Sequence, residues 1–315
     1  MPSSQTPAKP PFLFWVIGTF QLPDFLLLLI TTTLTAGLYA LASYSLTLIY
    51  GVMKIVDVSQ GAILTFGIYV AYTLNTVSGL DPILSSVVSF AIFFPYGFFI
   101  QYRVARRLLT KYSGGRVLEN SLLLFFGVLL ALTGLIYLLW KGDIKAINTA
   151  YTLSYLELFG LRIYLSRTII FGYAVAVTLI LVYILTRTDT GRAIRAVSQD
   201  LESSLVCGVD VDRVFGIAFG LACGISATAG SILTAALAFS PITGIEFILI
   251  AIVVTVIGGM GNFLGAFLGS LTFAVVESFS VLFIGPAYSK AVALAFMVLV
   301  LLFRPQGIFG ERIRI

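Results

Sequence analysis

At 315 residues the chain has room for about two ordinary domains, yet 59% of it is hydrophobic and 10% charged, against roughly 25% charged in a soluble domain. A mean hydropathy of +1.05 puts much of the outer surface in lipid and excludes most soluble enzyme folds. With no histidine, Ser-His-Asp triads and imidazole metal sites are excluded too, and the excess of 19 Lys and Arg over 14 Asp and Glu need not mean nucleic acid, because membrane proteins collect cations in cytoplasmic loops.

Residues 1–24 read as a retained polar tail in which Phe12 to Leu22, too short to cross, forms an interfacial helix held by Trp15. Residues 25–315 read as a single domain. A helix needs about 20 apolar residues to cross about 30 Å of hydrocarbon. Uncharged windows supply candidates between Asp24 and Lys54, then at Val58 to Leu80, Pro82 to Tyr102, Asn120 to Trp140, Thr168 to Thr186, Val214 to Ile245, Phe247 to Val276 and Ala291 to Phe303. Continuous hydrophobicity with Gly and Pro inside it fits helices, not the alternation of an outer-membrane barrel.

The run from Phe247 to Phe283 would be about 55 Å long as one helix, so it must break. The break is expected at Gly258-Gly259-Met260-Gly261-Asn262, where all but Met260 are poor helix formers, leaving a half-length or re-entrant first piece. The fold class is therefore all-α: a polytopic transmembrane bundle of about eight spans plus a short broken segment.

Between Tyr102 and Asn120 five cations face a single acid, Glu119, which assigns that loop to the cytoplasm. Segment parity then puts 187–213 and the tail, with Arg304, Arg312 and Arg314, on the same side. Lys141 to Arg167 falls outside, and its Tyr151–Tyr155 and Leu161–Tyr164 stretches suggest a β-hairpin turning at Phe159-Gly160.

Polar groups stand out against this background. Lys54-Ile55-Val56-Asp57-Val58-Ser59-Gln60-Gly61 places a cation, an acid, a hydroxyl and an amide between two apolar runs; such groups are costly in lipid and normally face a cavity, although Lys54 could instead snorkel to the headgroups. Glycine-interrupted stretches at Gly51–Gly67 and Gly258–Gly269 echo the broken helices of transporter sites, with close helix packing as the alternative use of the same glycines. The candidate path residues are Asp57, Ser59, Gln60, Gly61, Gly258, Gly259, Gly261, Asn262 and, in a later helix, Glu277.

The hydrophilic segment 187–213 also has a pattern. Gly191 is expected to break the preceding span, and Arg192 to Val206 reads as one amphipathic helix with Ala193, Ala196, Val197, Leu201 and Leu205 on one side and Arg192, Arg195, Gln199 and Glu202 on the other. Gly208 supplies the stop. There is no G-x-x-x-x-G-K-[ST] motif and no clustered metal-ligand set, so no cofactor or metal is expected and energy must come from elsewhere. Cys207 and Cys223 read as small packing residues.

GRAIRAVSQDLESSLVCGVDVDRVFGIAFGLACGISATAGSI, Gly191 to Ile232, resembles the cytoplasmic coupling segment and following helix of branched-chain amino-acid ABC importer permeases, in particular the H-type membrane subunit. The matching positions are Gly191, Arg192, Ala193, Arg195, Gln199, Asp200, Gly208, Asp212 and Arg213. Ser45 to Tyr72, Gly258 to Glu277 and Leu301 to Gly310 are similar as well. Where the family commonly has Asn-Phe-Ala-His-Gly-Glu, this chain has Asp57-Val58-Ser59-Gln60-Gly61-Ala62, while Glu277 keeps the family's acidic position.

The resemblance implies a permease in the cell (inner) membrane with a cytoplasmic C-terminus. It implies pairing with a second permease subunit, the M-type paralogue, over two ABC ATPase subunits, with ATPase coupling at Gly191, Arg192, Arg195, Gln199, Asp200 and Gly208. It also implies delivery of a branched-chain amino acid, or a related small amide or urea-like solute, by an extracytoplasmic solute-binding protein. The alternative is a stand-alone secondary carrier or channel with Asp57 and Glu277 as coupling carboxylates. An intramembrane enzyme is poorly supported, for lack of histidine or a nucleophile pair.

Overall fold

A computed structural model describes residues 22–105, 117–149, 151–152, 154–158 and 161–310. The expected interfacial helix lies outside the described residues except for its last residue, Leu22, which begins α1, and the hairpin tip at Phe159-Gly160 lies outside them too, as does most of the basic loop 103–119. The helices are α1 (Leu22–Met53), α2 (Gln60–Ser78), α3 (Pro82–Ile100), α4 (Val117–Trp140), α5 (Leu165–Arg187), α6 (Asp189–Gln199), α7 (Leu201–Val206), α8 (Val211–Leu233), α9 (Thr243–Gly258), α10 (Phe263–Ile284) and α11 (Pro286–Phe303). Among the described residues eight helices are long and apolar enough to cross a membrane and Thr243–Gly258 is a shorter apolar helix, as expected.

Local chemistry sets the boundaries. Asp81 accepts the Ile83 N–H and Pro82 opens α3 at its first position. Asn262 accepts the Gly265 N–H to start α10 directly after the Gly258–Gly261 break. The apolar continuity between Val214 and Ile245 breaks at Leu233, so α9 begins four residues earlier than its expected start at Phe247. Outside the bundle, Tyr155–Leu158 pairs antiparallel with Leu161–Tyr164; the first strand of the expected hairpin begins at Tyr155 instead of Tyr151.

The core is built around α8, the most buried span, with 89% of its apolar window inside. Lipid tails are as apolar as leucine, so helices in a bilayer associate through close packing more than through the hydrophobic effect. Small residues let the backbones meet here: a Cβ on Gly230 would lie 1.9 Å from the Leu64 carbonyl, and one on Gly67 2.0 Å from that of Ala227. On the other side α3 presents Phe90, Phe94 and Phe98 to Gly224, Gly220 and Gly216 of α8.

Cross-helix pairs give the two ends of the bundle. Gly37 packs on Phe171 and Tyr44 hydrogen-bonds Thr178, so α1 and α5 run parallel and finish together. The end of α3 lies beside the start of α8, and Ile308 reaches back to the end of α9. Residues 101–105, 187–213 and 304–310 thus share one end, here the basic end; the β-hairpin occupies the other.

Candidate translocation path and coupling surface

Between α1 and α2 the chain stops being helical. Gly51, in the last turn of α1, touches Gly261 just beyond the end of α9, and Gly61, in the first turn of α2, touches Gly244 and Ile248 at the start of α9. The short segment between them therefore spans most of α9, whose 16 residues measure about 24 Å. So few residues cover that distance only when the chain between the two helices is largely stretched, at about 3.3 Å per extended residue. The chain is thus stretched between Lys54, whose φ is 55°, and the turn at Val58-Ser59, where Ser59 is already helical (φ −67°, ψ −16°), and this ribbon runs from the basic end deep into the bundle.

An extended chain alternates its side chains, and the burial alternates with it. Lys54 is exposed and Val56 and Val58 half-buried, whereas Ile55, Asp57 and Ser59 are buried. Asp57 faces the packed side and is wholly buried. Its Oδ1 accepts from the Ser59 N–H at 2.8 Å and the Ser59 hydroxyl at 2.6 Å, and its Oδ2 accepts from Gln60 Nε2 at 2.7 Å. The carboxylate therefore ties down the start of α2. Ser226 donates to the Gln60 carbonyl at 2.8 Å, and Cys223 Sγ lies 3.5 Å from Gln60 Nε2, so this knot sits against the middle of α8.

Among the described residues, the backbone N–H groups of Ile55, Val56, Asp57 and Val58 have no protein acceptor. Irregular backbone at membrane depth survives only inside protein or beside water, and unpaired donors select water. The less buried side of the ribbon is the one that carries Val56 and Val58. Asp57, Ser59, Gln60 and Gly61, expected to border the path, are all buried, on the side away from the two valines; the alternation in Lys-Ile-Val-Asp-Val-Ser was the signal for the valines.

The second break lies at the other end of α9. Gly259 and Gly261 take φ of 90° and 92°, which a side chain would strain. The tail covers this turn: the Ile308 N–H donates to the Ile257 carbonyl at 2.8 Å, and Asn262 Nδ2 donates to the Phe309 carbonyl at 3.1 Å. Both glycine breaks thus bracket one short helix. Glu277 belongs elsewhere, accepting from the Tyr39 hydroxyl at 2.6 Å in a cluster where Arg167 binds Thr35. The sequence reading gave neither Tyr39 nor Arg167 a place beside Glu277.

The coupling segment differs from the single amphipathic helix expected over Arg192 to Val206. Asp200 is extended (φ −148°) and divides it into α6 and α7, its carboxylate accepting the Ser203 N–H to cap α7. The Ser203 hydrogen bonds hold the Asp200 carboxyl below the usual carboxylate range. Gly191 does not end α5, which stops at Arg187. Thr188 caps α6, and Gly191 lets α6 fold back on α5, where a Cβ would meet the Ile184 carbonyl at 2.2 Å.

The apolar side of α6 is consequently spent on the bundle: Ile194 and Val197 are buried. Arg192 pairs with Asp189, and Arg195 and Gln199 are exposed. What faces outward is α7, with Leu201, Leu205 and Val206 exposed at 44%, 56% and 89%. Gly208 (φ 80°) then ends the segment, as expected.

Residues 28–301 match the family model described as branched-chain amino acid transport system / permease component. The chain is 30% identical over 294 residues to the high-affinity branched-chain amino acid transport system permease protein BraD of Pseudomonas aeruginosa, covering 88% of this chain and 94% of that protein. It is 26% identical to the corresponding permease protein LivH of Escherichia coli K12, over 87% of this chain and 91% of that one. A shorter stretch, 34% of this chain, is 35% identical to the autoinducer 2 import system permease protein LsrC of Klebsiella pneumoniae. No solved structure matches the chain.

Proposed function

The chain belongs to the family of branched-chain amino acid transport permease components, and on that premise we propose that it forms half of the solute path of an ABC importer in the cell (inner) membrane. The solute is a branched-chain amino acid. A second permease subunit, the M-type paralogue, supplies the other half; two ABC ATPase subunits sit at the basic end, and an extracytoplasmic binding protein docks at the hairpin end. The C-terminus is cytoplasmic. Cations concentrated at 103–116 and at the tail support that orientation.

The observation that carries the path is the non-helical ribbon between α1 and α2, with its unpaired backbone N–H groups at Ile55 to Val58 and its half-buried valines. Apolar Val56 and Val58 suit an aliphatic side chain, and the free N–H groups suit a carboxylate or water. Closure of the ATPases must bias two states of the permease, and α7 offers the contact: its exposed leucines and valine form an apolar knob suited to a groove.

Uptake into proteoliposomes holding both permease subunits, the ATPases and the binding protein tests this reading. Labelled L-leucine should accumulate with ATP inside and no ion gradient. Accumulation that needs an ion gradient and ignores ATP would instead establish the secondary carrier.

A further inference from the structure

We infer that the hairpin end of α2 carries a second, separate ligand site: an aromatic box that takes an organic ammonium group and that Lys145 fills with its own side chain. The Lys145 ammonium lies 4.9 Å from the Tyr72 ring centroid and 6.0 Å from that of Tyr69, and it donates to the Trp140 carbonyl at 3.1 Å. Among the described residues no carboxylate is within ion-pair distance of it. Phe239 closes the box edge-on to Tyr69 at 5.5 Å and to Tyr72 at 5.9 Å, and Trp140 covers Tyr69 at 5.2 Å.

Two aromatic faces plus a carbonyl are what a protein offers an ammonium that it binds without a counter-charge. The lysine is also detachable. It sits on a loop held to the α8–α9 connection by two backbone hydrogen bonds, Lys145 N–H to the Phe239 carbonyl at 2.9 Å and Phe239 N–H to the Lys145 carbonyl at 2.8 Å. Those bonds keep the loop in place when the side chain swings out.

A second, independent feature points to a ligand. Tyr69 is wholly buried, yet its hydroxyl has no hydrogen-bond partner, and buried hydroxyls are normally paired. A ligand carrying an acceptor beside its ammonium would satisfy it. An amino-acid zwitterion has both: its ammonium takes the ring faces, its carboxylate accepts from Tyr69, and the displaced Lys145 ammonium pairs with that carboxylate. A phosphatidylethanolamine headgroup likewise carries an acceptor beside its ammonium, a phosphate in place of the carboxylate. That the ligand is the transported solute rests on the transport reading above; the ammonium chemistry does not.

The test uses the full chain with Trp15→Phe, which leaves Trp140 as its indole, in discs of phosphatidylglycerol, a lipid without ammonium. With Lys145→Ala added, tetramethylammonium should change Trp140 emission saturably, while tert-butanol, its neutral counterpart, and sodium chloride should not. With Lys145 present the midpoint should lie about tenfold higher, because the tethered ammonium competes. Adding Tyr72→Leu to Lys145→Ala should abolish the response.

L-leucine in phosphatidylglycerol discs, and discs made with phosphatidylethanolamine, tell solute from headgroup: a response to leucine assigns the solute, and a signal already shifted by the lipid assigns the headgroup. A Lys145→Ala chain with an unchanged unfolding midpoint and no saturable response to tetramethylammonium, or an equal one to tert-butanol, would overturn the site. A measurement on the chain with Lys145 in place needs no folded variant: tetramethylammonium must accelerate acylation of the Lys145 amine by a water-soluble ester, and no acceleration contradicts the displacement. Loss of ATP-driven uptake elsewhere, with this response intact, would count against the transport reading alone.

Discussion

Asp57 shows how a residue can be polar and buried with its carboxylate engaged by its own neighbours. Its carboxylate is consumed by Ser59 and Gln60, so its work is to hold the start of α2 against α8 while the ribbon's valine side stays less buried. Asp57→Ala leaves those donors unpaired, at a cost of about 1–3 kcal/mol, and should lower the unfolding midpoint in detergent. Asp57→Asn keeps one oxygen for Ser59 and should fall between. The order parental, Asn, Ala in thermal midpoint is the expected result; a destabilisation by Asn equal to that by Ala would mean the charge itself is the stabilising element. Glu277 separates mechanisms in the same way. In an ATP-driven importer Glu277→Gln, which still accepts from Tyr39 through its carbonyl, should keep near-parental uptake, whereas an ion-coupled carrier using that carboxylate would lose accumulation.

At the scale of elements, the spans and the Gly258–Asn262 break were legible because they depend on composition: uncharged length for the one, four poor helix formers for the other. The division of the coupling segment was not. Arg192 to Val206 carries helical spacing throughout, and Asp200 becomes a cap only because its backbone turns extended and lends its carboxylate to Ser203. Sequence reading also could not know that the bundle would use Ile194 and Val197 for itself. On the proposed coupling, the docking element is α7, whose Leu201, Leu205 and Val206 are exposed. Leu205→Asp with Val206→Asp should weaken ATPase association about tenfold or more while the permease stays folded, since hot-spot contacts are the buried apolar ones. Ile194→Asp should instead lower the amount of folded permease. Co-purification yield and membrane abundance, measured together, distinguish the two outcomes. Because hydrogen bonds hold the Asp200 carboxyl below its ordinary value, its cap is complete at neutral pH and is lost only as acid takes the pH through that lowered value; ATPase association should not change between pH 6 and 8 on its account.

Across the whole molecule, two polar interruptions far apart in sequence converge on the two ends of α9: Gly61 at its start, Gly261 at its finish. The glycines there serve close packing and the break at once, which is why composition alone could not choose between these uses. It also limits what glycine substitutions can tell: a Cβ on Gly61 would meet the Gly244 carbonyl at 2.5 Å, so Gly61→Leu would disturb the fold before it touched any solute. Topology can be read independently, by cysteines at Ser203 and Gln306 in a chain without Cys207 and Cys223, which should react only with a thiol reagent admitted to the cytoplasm.

The most direct measurement of the central claim is a cysteine ladder along the ribbon in that same background, one cysteine each at Ile55, Val56 and Val58, exposed to a small cationic thiosulfonate while the assembled transporter turns over ATP. The account predicts alternation: modification at 56 and 58, protection at 55, and loss of leucine uptake in step with modification. Equal reaction at all three positions, or none at any while a cysteine at Lys54 reacts, would mean that the ribbon does not present its valine side to water and that the solute passes elsewhere.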